Sequence, residues 1–241
     1  MARNLVKILG YSVDKFSMDE AVDYIQSNFG QIVTINPEMI NAASKNKDFA
    51  KVINEAELVV PDGIGIEIGL KILGHRVKRI PGIELGKELI VKFSKDKKSI
   101  AMIGAKQEVL NNAISNLKNE ISDLNIVYSH NGYFDNNDEV LTTATQSQPD
   151  LVLVALGSPK QEMFIYELKK RLPNAVLIGL GGSFDVWAGA VSRAPKIWQN
   201  LGLEWLYRTI KEPQRFKRIF PTLPLFMLNV YKERLTRNNA K

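Results

Sequence analysis

The sequence predicts an α/β fold: a Rossmann-like, mostly parallel sheet flanked by helices. Three observations predict it. Apolar, β-branched runs recur along the 241 residues, each followed by a stretch with helical spacing. One run, Leu151-Val-Leu-Val-Ala-Leu156, is apolar at every position, as a central strand covered on both faces requires. Glycines sit where strands should pass into helices, at Gly104, Gly157 and Gly181-Gly182.

The elements follow in order. Strands are predicted at 31–35, 58–60, 99–103, 125–129, 151–156 and 175–180. Helices are predicted between them at 38–46, 64–73, 84–94, 107–121, 138–148 and 160–171. Pro37 is placed to open the first of these helices, where its missing N–H costs nothing. After Ser192 the texture changes: Pro195 breaks the pattern, residues 198–211 read as one amphipathic helix, and a short apolar stretch at 223–231 carries Pro224. The expected organisation is therefore an α/β catalytic domain over 1–192 and a basic helical appendage over 193–241.

Composition narrows the function. Apolar residues make up 45% and charged residues 24%, enough for a real core. The chain has no cysteine and only His75 and His130, so disulfides and Cys- or His-rich metal sites are excluded. The N-terminus lacks a secretory pattern, and no run reaches the roughly 18 apolar residues of a spanning helix. A cytoplasmic location is expected. Of the net charge of +6, residues 193–241 carry eleven Lys/Arg against three Asp/Glu, leaving the body slightly acidic. Such a tail calls for an anionic partner.

The residues able to carry chemistry lie at strand ends, where open α/β sheets bind ligands. Asp62, in Val59-Val-Pro-Asp-Gly-Ile-Gly65, ends a strand as a lone carboxylate and could act as a general base, although a helix N-cap is the more ordinary role for it. Thr34 and Asn36 could cap the next helix or bond a sugar hydroxyl. Lys160 could meet phosphate, and Asp185 a ribose or base. Gly63-x-Gly65-x-x-x-Gly69, with Glu84 downstream, imitates a dinucleotide fingerprint, but its spacing is one residue too long. No P-loop, nucleophile elbow or D-x-D pair is present. A metal-independent transfer would then need arginine to neutralise a leaving diphosphate, and Arg79, Arg193, Arg208, Arg215 and Arg218 are available.

Taken together, the motifs resemble a known family. Thr34-Ile-Asn-Pro-Glu38, Pro61-Asp-Gly-Ile-Gly65, Pro159-Lys-Gln-Glu162, Gly181-Gly-Ser-Phe-Asp185, Arg193-Ala-Pro195, Gly202-Leu-Glu-Trp-Leu-Tyr-Arg208 and Glu212-Pro-Gln-Arg215 with Arg218 resemble, in order, the WecG/TagA/CpsF glycosyltransferases. The resemblance implies an inverting, metal- and cofactor-free transfer of N-acetylmannosamine or a related hexose. The donor would be a UDP-sugar, and the acceptor a polyprenyl-diphosphate-linked sugar in cell-envelope polymer synthesis. It implies Asp62 as general base, with Arg79 beside it. Thr34, Asn36, Gln161, Arg208, Arg215 and Arg218 would hold substrate, and Gly104, Tyr133, Lys160, Gly182 and Asp185 the nucleotide. Within Arg79-Ile-Pro-Gly-Ile-Glu84 the chain has Pro81 and Glu84 where many members carry a small residue and an Asp.

The implied enzyme is peripheral on the inner face of the cell membrane. Its basic tail would attract anionic lipid while Phe216, Ile219, Phe220, Leu225, Phe226 and Leu228 enter the interface. A homo-oligomer is compatible with the sequence. The competing classes are a nucleic-acid binder, which lacks a recognition motif and is not expected, and a non-catalytic UDP-sugar binder.

Overall fold

The computed structural model describes residues 2–211 and 216–239. Its centre is a six-stranded parallel sheet. The strands are β3 (Gly30–Ile35), β4 (Leu58–Pro61), β5 (Ser99–Gly104), β6 (Asn125–His130), β7 (Leu151–Ala155) and β8 (Val176–Gly179), in the order β4-β3-β8-β7-β5-β6. All six are the strands the sequence predicts, within two residues at each end.

A hairpin that the pattern did not announce precedes them, β1 (Leu5–Ile8) and β2 (Tyr11–Asp14). Its turn, Leu9-Gly10, holds both residues at positive φ, a geometry normally signalled by Asn-Gly. Asp14 explains the rest of the concealment. This fully buried carboxylate accepts two 2.7 Å bonds from the Arg3 guanidinium and one of 2.9 Å from the Val59 N–H, docking the hairpin against β4.

Alternation along the strands feeds two faces. Leu151 and Leu153 join Ile32, Val60 and Met102 beneath α1 (Met18–Asn28), α5 (Gly82–Lys95), α6 (Gln107–Glu120) and α9 (Ser183–Trp187). Val152 and Val154 face α7 (Asn137–Gln146) and α8 (Lys160–Arg171) instead. On that side of β3 and β4, Val33, Ile35 and Val59 pack with the hairpin, α2 (Pro37–Ala43), α3 (Lys47–Asn54) and α4 (Ile64–Ile72). The single helix predicted at 38–46 is thus only α2. Asn46 caps a second helix by accepting from the Phe49 N–H at 3.0 Å.

The C-terminal segment also departs from expectation. The helix predicted at 198–211 is divided into α10 (Lys196–Asn200) and α11 (Glu204–Lys211). Gly202 divides it: its φ of +71° suits glycine, and a Cβ there would come within 2.8 Å of Ile64. α12 (Phe216–Asn239) runs much further than residues 223–231, with Pro221 and Pro224 in its N-terminal part. It buries Phe226 and Val230 against α2 and α4. Its far end holds the hairpin, Glu233 accepting from the Leu9 N–H at 2.8 Å and Arg237 donating to the Lys7 carbonyl at 3.0 Å.

Candidate active site

A cleft of about 650 Å³ opens at the carboxyl ends of β3, β4, β7 and β8. Thr34, Asn36, Asp62, Arg79, Gln161 and Gly182, scattered over 149 positions of sequence, all line it.

Asp62 directly follows β4, its N–H donating to the Ile35 carbonyl at 2.8 Å. The N-cap of α4 is Gly63, not Asp62. The capping role weighed for Asp62 therefore gives way to a half-buried carboxylate on the cleft wall. Asn36 does cap α2, accepting from the Met39 N–H at 3.0 Å. That bond engages Oδ1 and leaves the amide NH2 as the group it can offer a ligand. Thr34 lies buried one residue before the end of β3.

Arg79 enters from the segment between α4 and α5. Its main-chain N–H donates to Glu67 at 3.2 Å, and its guanidinium donates to the Gln199 carbonyl of the C-terminal segment. Gln161, in the first turn of α8, lies across β8: its Oε1 accepts from the Gly181 N–H at 2.9 Å and its Nε2 donates to Glu162 at 2.7 Å. The C-terminal segment closes the cleft with Glu204 and Trp205 from α11 and Ile219, Thr222 and Leu223 from α12. Arg193 fastens it, meeting Glu84 at 2.6 Å and Glu204 at 3.8 Å. The departure at Glu84 is thereby the ion-pair partner of the Arg193-Ala-Pro195 motif.

The other predicted nucleotide residues lie outside the cleft lining. Gly104 is buried at the end of β5, where the next turn is locked by Ala105 N–H to Ala155 O at 3.0 Å and Gly132 N–H to Ala105 O at 2.7 Å. β5 leads outward to β6 while β7 leads the opposite way to β8, so the loops after these neighbouring strands diverge. That is a topological switch point, the usual ligand crevice of such sheets. Tyr133 stands beside it, 72% exposed. Lys160 holds its ammonium 4.9 Å from the Phe134 ring centre. Asp185 is half-buried on α9. This rim adjoins the cleft through the chain itself, because Lys160 immediately precedes Gln161 and Asp185 lies three residues beyond Gly182.

Arg215 lies outside the described residues, as do the side chains of Arg208 and Arg218, whose main chains belong to α11 and α12. Sequence reasoning did not single out Glu204, Trp205 or Glu162 for the site. All three sit inside motifs quoted above, which was the available signal.

Large apolar side chains stand exposed along the C-terminal segment, among them Ile197, Ile210, Phe216, Phe220, Leu225 and Leu228. The Phe216 and Phe220 rings stack with centres 4.7 Å apart. Two members of the predicted membrane face are corrected: Ile219 and Phe226 are buried, Phe226 in the core with α2 and α4. Among the described residues, no helix is long and apolar enough to cross a membrane.

Comparison with known proteins follows the same lines. The sequence model of the glycosyl transferase WecG/TagA/CpsF family matches residues 6–240. The chain is 39% identical over 212 residues to the N-acetylglucosaminyldiphosphoundecaprenol N-acetyl-beta-D-mannosaminyltransferase of Bacillus subtilis strain 168, covering 87% of this chain and 82% of that protein. It is 37% identical over 211 residues to the protein of the same name from Bacillus spizizenii W23, with the same coverage of 87% and 82%.

Proposed function

The chain belongs to the WecG/TagA/CpsF family of glycosyl transferases, and from that premise we propose that it moves N-acetylmannosamine, or a related hexose, from a UDP-sugar to an undecaprenyl-diphosphate-linked sugar. The observation that carries the reading is the adjacency of cleft and rim. A nucleotide-sugar needs a pocket for its sugar and a neighbouring shelf for its nucleoside, joined by groups that meet a diphosphate. Gln161 and Gly182 stand on one side of that junction, Lys160 and Asp185 on the other.

In this reading Asp62 takes the proton from the acceptor hydroxyl as its oxygen attacks the anomeric carbon from the face opposite UDP. The new C–O bond forms while the bond to the diphosphate oxygen breaks, and the electron pair leaves with UDP. One displacement inverts the anomeric centre. Thr34, Asn36 and Gln161 hold the sugar. Tyr133 supplies a flat face for the base, with Asp185 within the same rim and Gly104 letting the turn at the switch point close on the Ala155 main chain. Arg79, with Arg208, Arg215 and Arg218, concentrates positive charge where the departing diphosphate gains negative charge, so no divalent cation is required.

Residues 193–241 act as the appendage that completes the site. Their exposed apolar side chains and basic balance support a peripheral position on an anionic membrane face, where a lipid-linked acceptor would reside.

The test is transfer itself. Full-length protein is incubated with a panel of UDP-sugars and lipid-diphosphate-linked N-acetylglucosamine, with EDTA present. Transfer from UDP-N-acetylmannosamine that EDTA leaves unchanged is expected. An inert panel, with lipid acceptor supplied, would remove the reading.

A further inference from the structure

Glu162 is a buried acid in the first turn of α8, next to Gln161 of the cleft wall. It is 3% exposed, and its carboxyl is approached by the side chains of Gln161 and Ser158. Its Oε1 accepts from Gln161 Nε2 at 2.7 Å, and the Oε1 of Gln161 accepts from the Gly181 N–H at 2.9 Å. A carboxamide donates only through nitrogen and accepts only through oxygen. The two partners therefore permit one orientation of the Gln161 amide. Rotated by half a turn, it would set its NH2 against the Gly181 N–H and its oxygen against a carboxyl oxygen.

The surroundings are shaped to this pair. A Cβ on Gly179 would come within 2.5 Å of Gln161 Nε2, so β8 is bare where the amide crosses it. From below, Gln31 donates to the Glu162 carbonyl at 3.1 Å, holding the start of α8 on β3. Burial pushes the Glu162 carboxyl above its ordinary range, and hydrogen bonds from Gln161, from Ser158 and from the main chain oppose this only in part.

We propose that Glu162 is a positioning residue: it fixes the Gln161 carboxamide so that the second N–H of Nε2, and not the oxygen, meets the sugar. The subsite then selects a hydrogen-bond acceptor on the donor, a carbonyl or hydroxyl oxygen, at this point. The inference rests on the reading that Gln161 contacts the sugar.

The experiment is steady-state transfer by the full chain with UDP-N-acetylmannosamine, comparing Gln161→Ala, Glu162→Gln, Glu162→Leu and Gln161→Ala/Glu162→Leu. A missing bond of this kind should lower kcat/KM roughly tenfold or more in Gln161→Ala and Glu162→Leu. Glu162→Gln keeps an acceptor oxygen and should stay within about threefold of the parent. The double variant should fall no further than Gln161→Ala, since both remove one interaction.

Glu162→Leu at parental kinetics, or losses that multiply in the double variant, would overturn the role of Glu162 and leave that of Gln161 standing. Gln161→Ala at parental kinetics would remove the underlying reading instead. Should Glu162→Leu fail to fold by circular dichroism, the Gln161 side-chain amide is followed by NMR in the unaltered protein. One amide proton should be protected and the other should shift on adding UDP-N-acetylmannosamine. Two freely exchanging protons, or two that donor leaves unmoved, would overturn the proposal.

Discussion

The cleft at β3, β4 and β8 and the rim at β5 and β6 are built on one sheet, yet by opposite means. In the cleft, side chains are held by other parts of the protein before any ligand arrives. Asn36 is engaged by a helix end, Arg79 by a carbonyl, and Gln161 by a main-chain N–H and a carboxyl. On the rim the main chain is locked around Gly104 while Tyr133 projects into solvent. A preorganised pocket suits stabilisation of a short-lived charge distribution. A fixed shelf with one broad exposed ring suits holding a flat group. The division predicts that changes in the cleft act on kcat and changes on the rim act on donor KM.

Four measurements break or sharpen that contrast. Asp62→Asn removes the proton acceptor and should lower kcat by about 10³-fold, with donor binding by calorimetry nearly unchanged. Arg79→Gln removes charge beside the leaving diphosphate and should cost about 10² in kcat. A rise in donor KM with kcat retained, in either variant, would erase the distinction between the regions. Tyr133→Ala should raise donor KM about tenfold with kcat retained, the range for one lost base–aromatic contact. The same shift should appear in the affinity for UDP alone.

The smallest effect is on stability. The Glu162 carboxyl is raised in the folded state, so the native protein holds that proton more tightly than the unfolded chain does. Stability should therefore fall as pH rises from the ordinary carboxylate range through the raised folded value. Urea unfolding of Glu162→Gln across the same range should lack this component of the slope.

Legibility followed burial pattern and chain-local chemistry. The parallel strands were readable from their runs of β-branched and apolar residues, most plainly β7, buried at all five positions, and least so β6, buried at none. The hairpin was not, because its turn is Leu-Gly and its strand ends on a buried aspartate satisfied by Arg3, 11 residues away. α1 was passed over although Ser17 and Glu20 form a capping box, since its buried positions are only four, Ala21, Val22, Tyr24 and Ile25. Within the site, Asp62 and Gln161 were legible from motifs at strand ends. Local rules favoured Asp62 as a cap, and only the placement of Gly63 at the start of α4 redirects it. The partnership of Arg193 with Glu84 spans 109 residues and has no local signature.

The C-terminal segment is fixed at both of its ends, by Arg193 to Glu84 near the start and by Phe226, Val230 and Glu233 towards the finish. In polymer terms the segment that carries α11 is tied at both ends rather than a dangling tail. Its placement on the cleft is an intramolecular event, with an effective concentration set by the length and stiffness of the segment. Under the proposed role of its arginines, the supply of charge from this segment to the leaving group is therefore independent of enzyme concentration. Lengthening the loop should weaken that supply only logarithmically, roughly 0.6 kcal/mol for each doubling. Cutting it should abolish the supply at once.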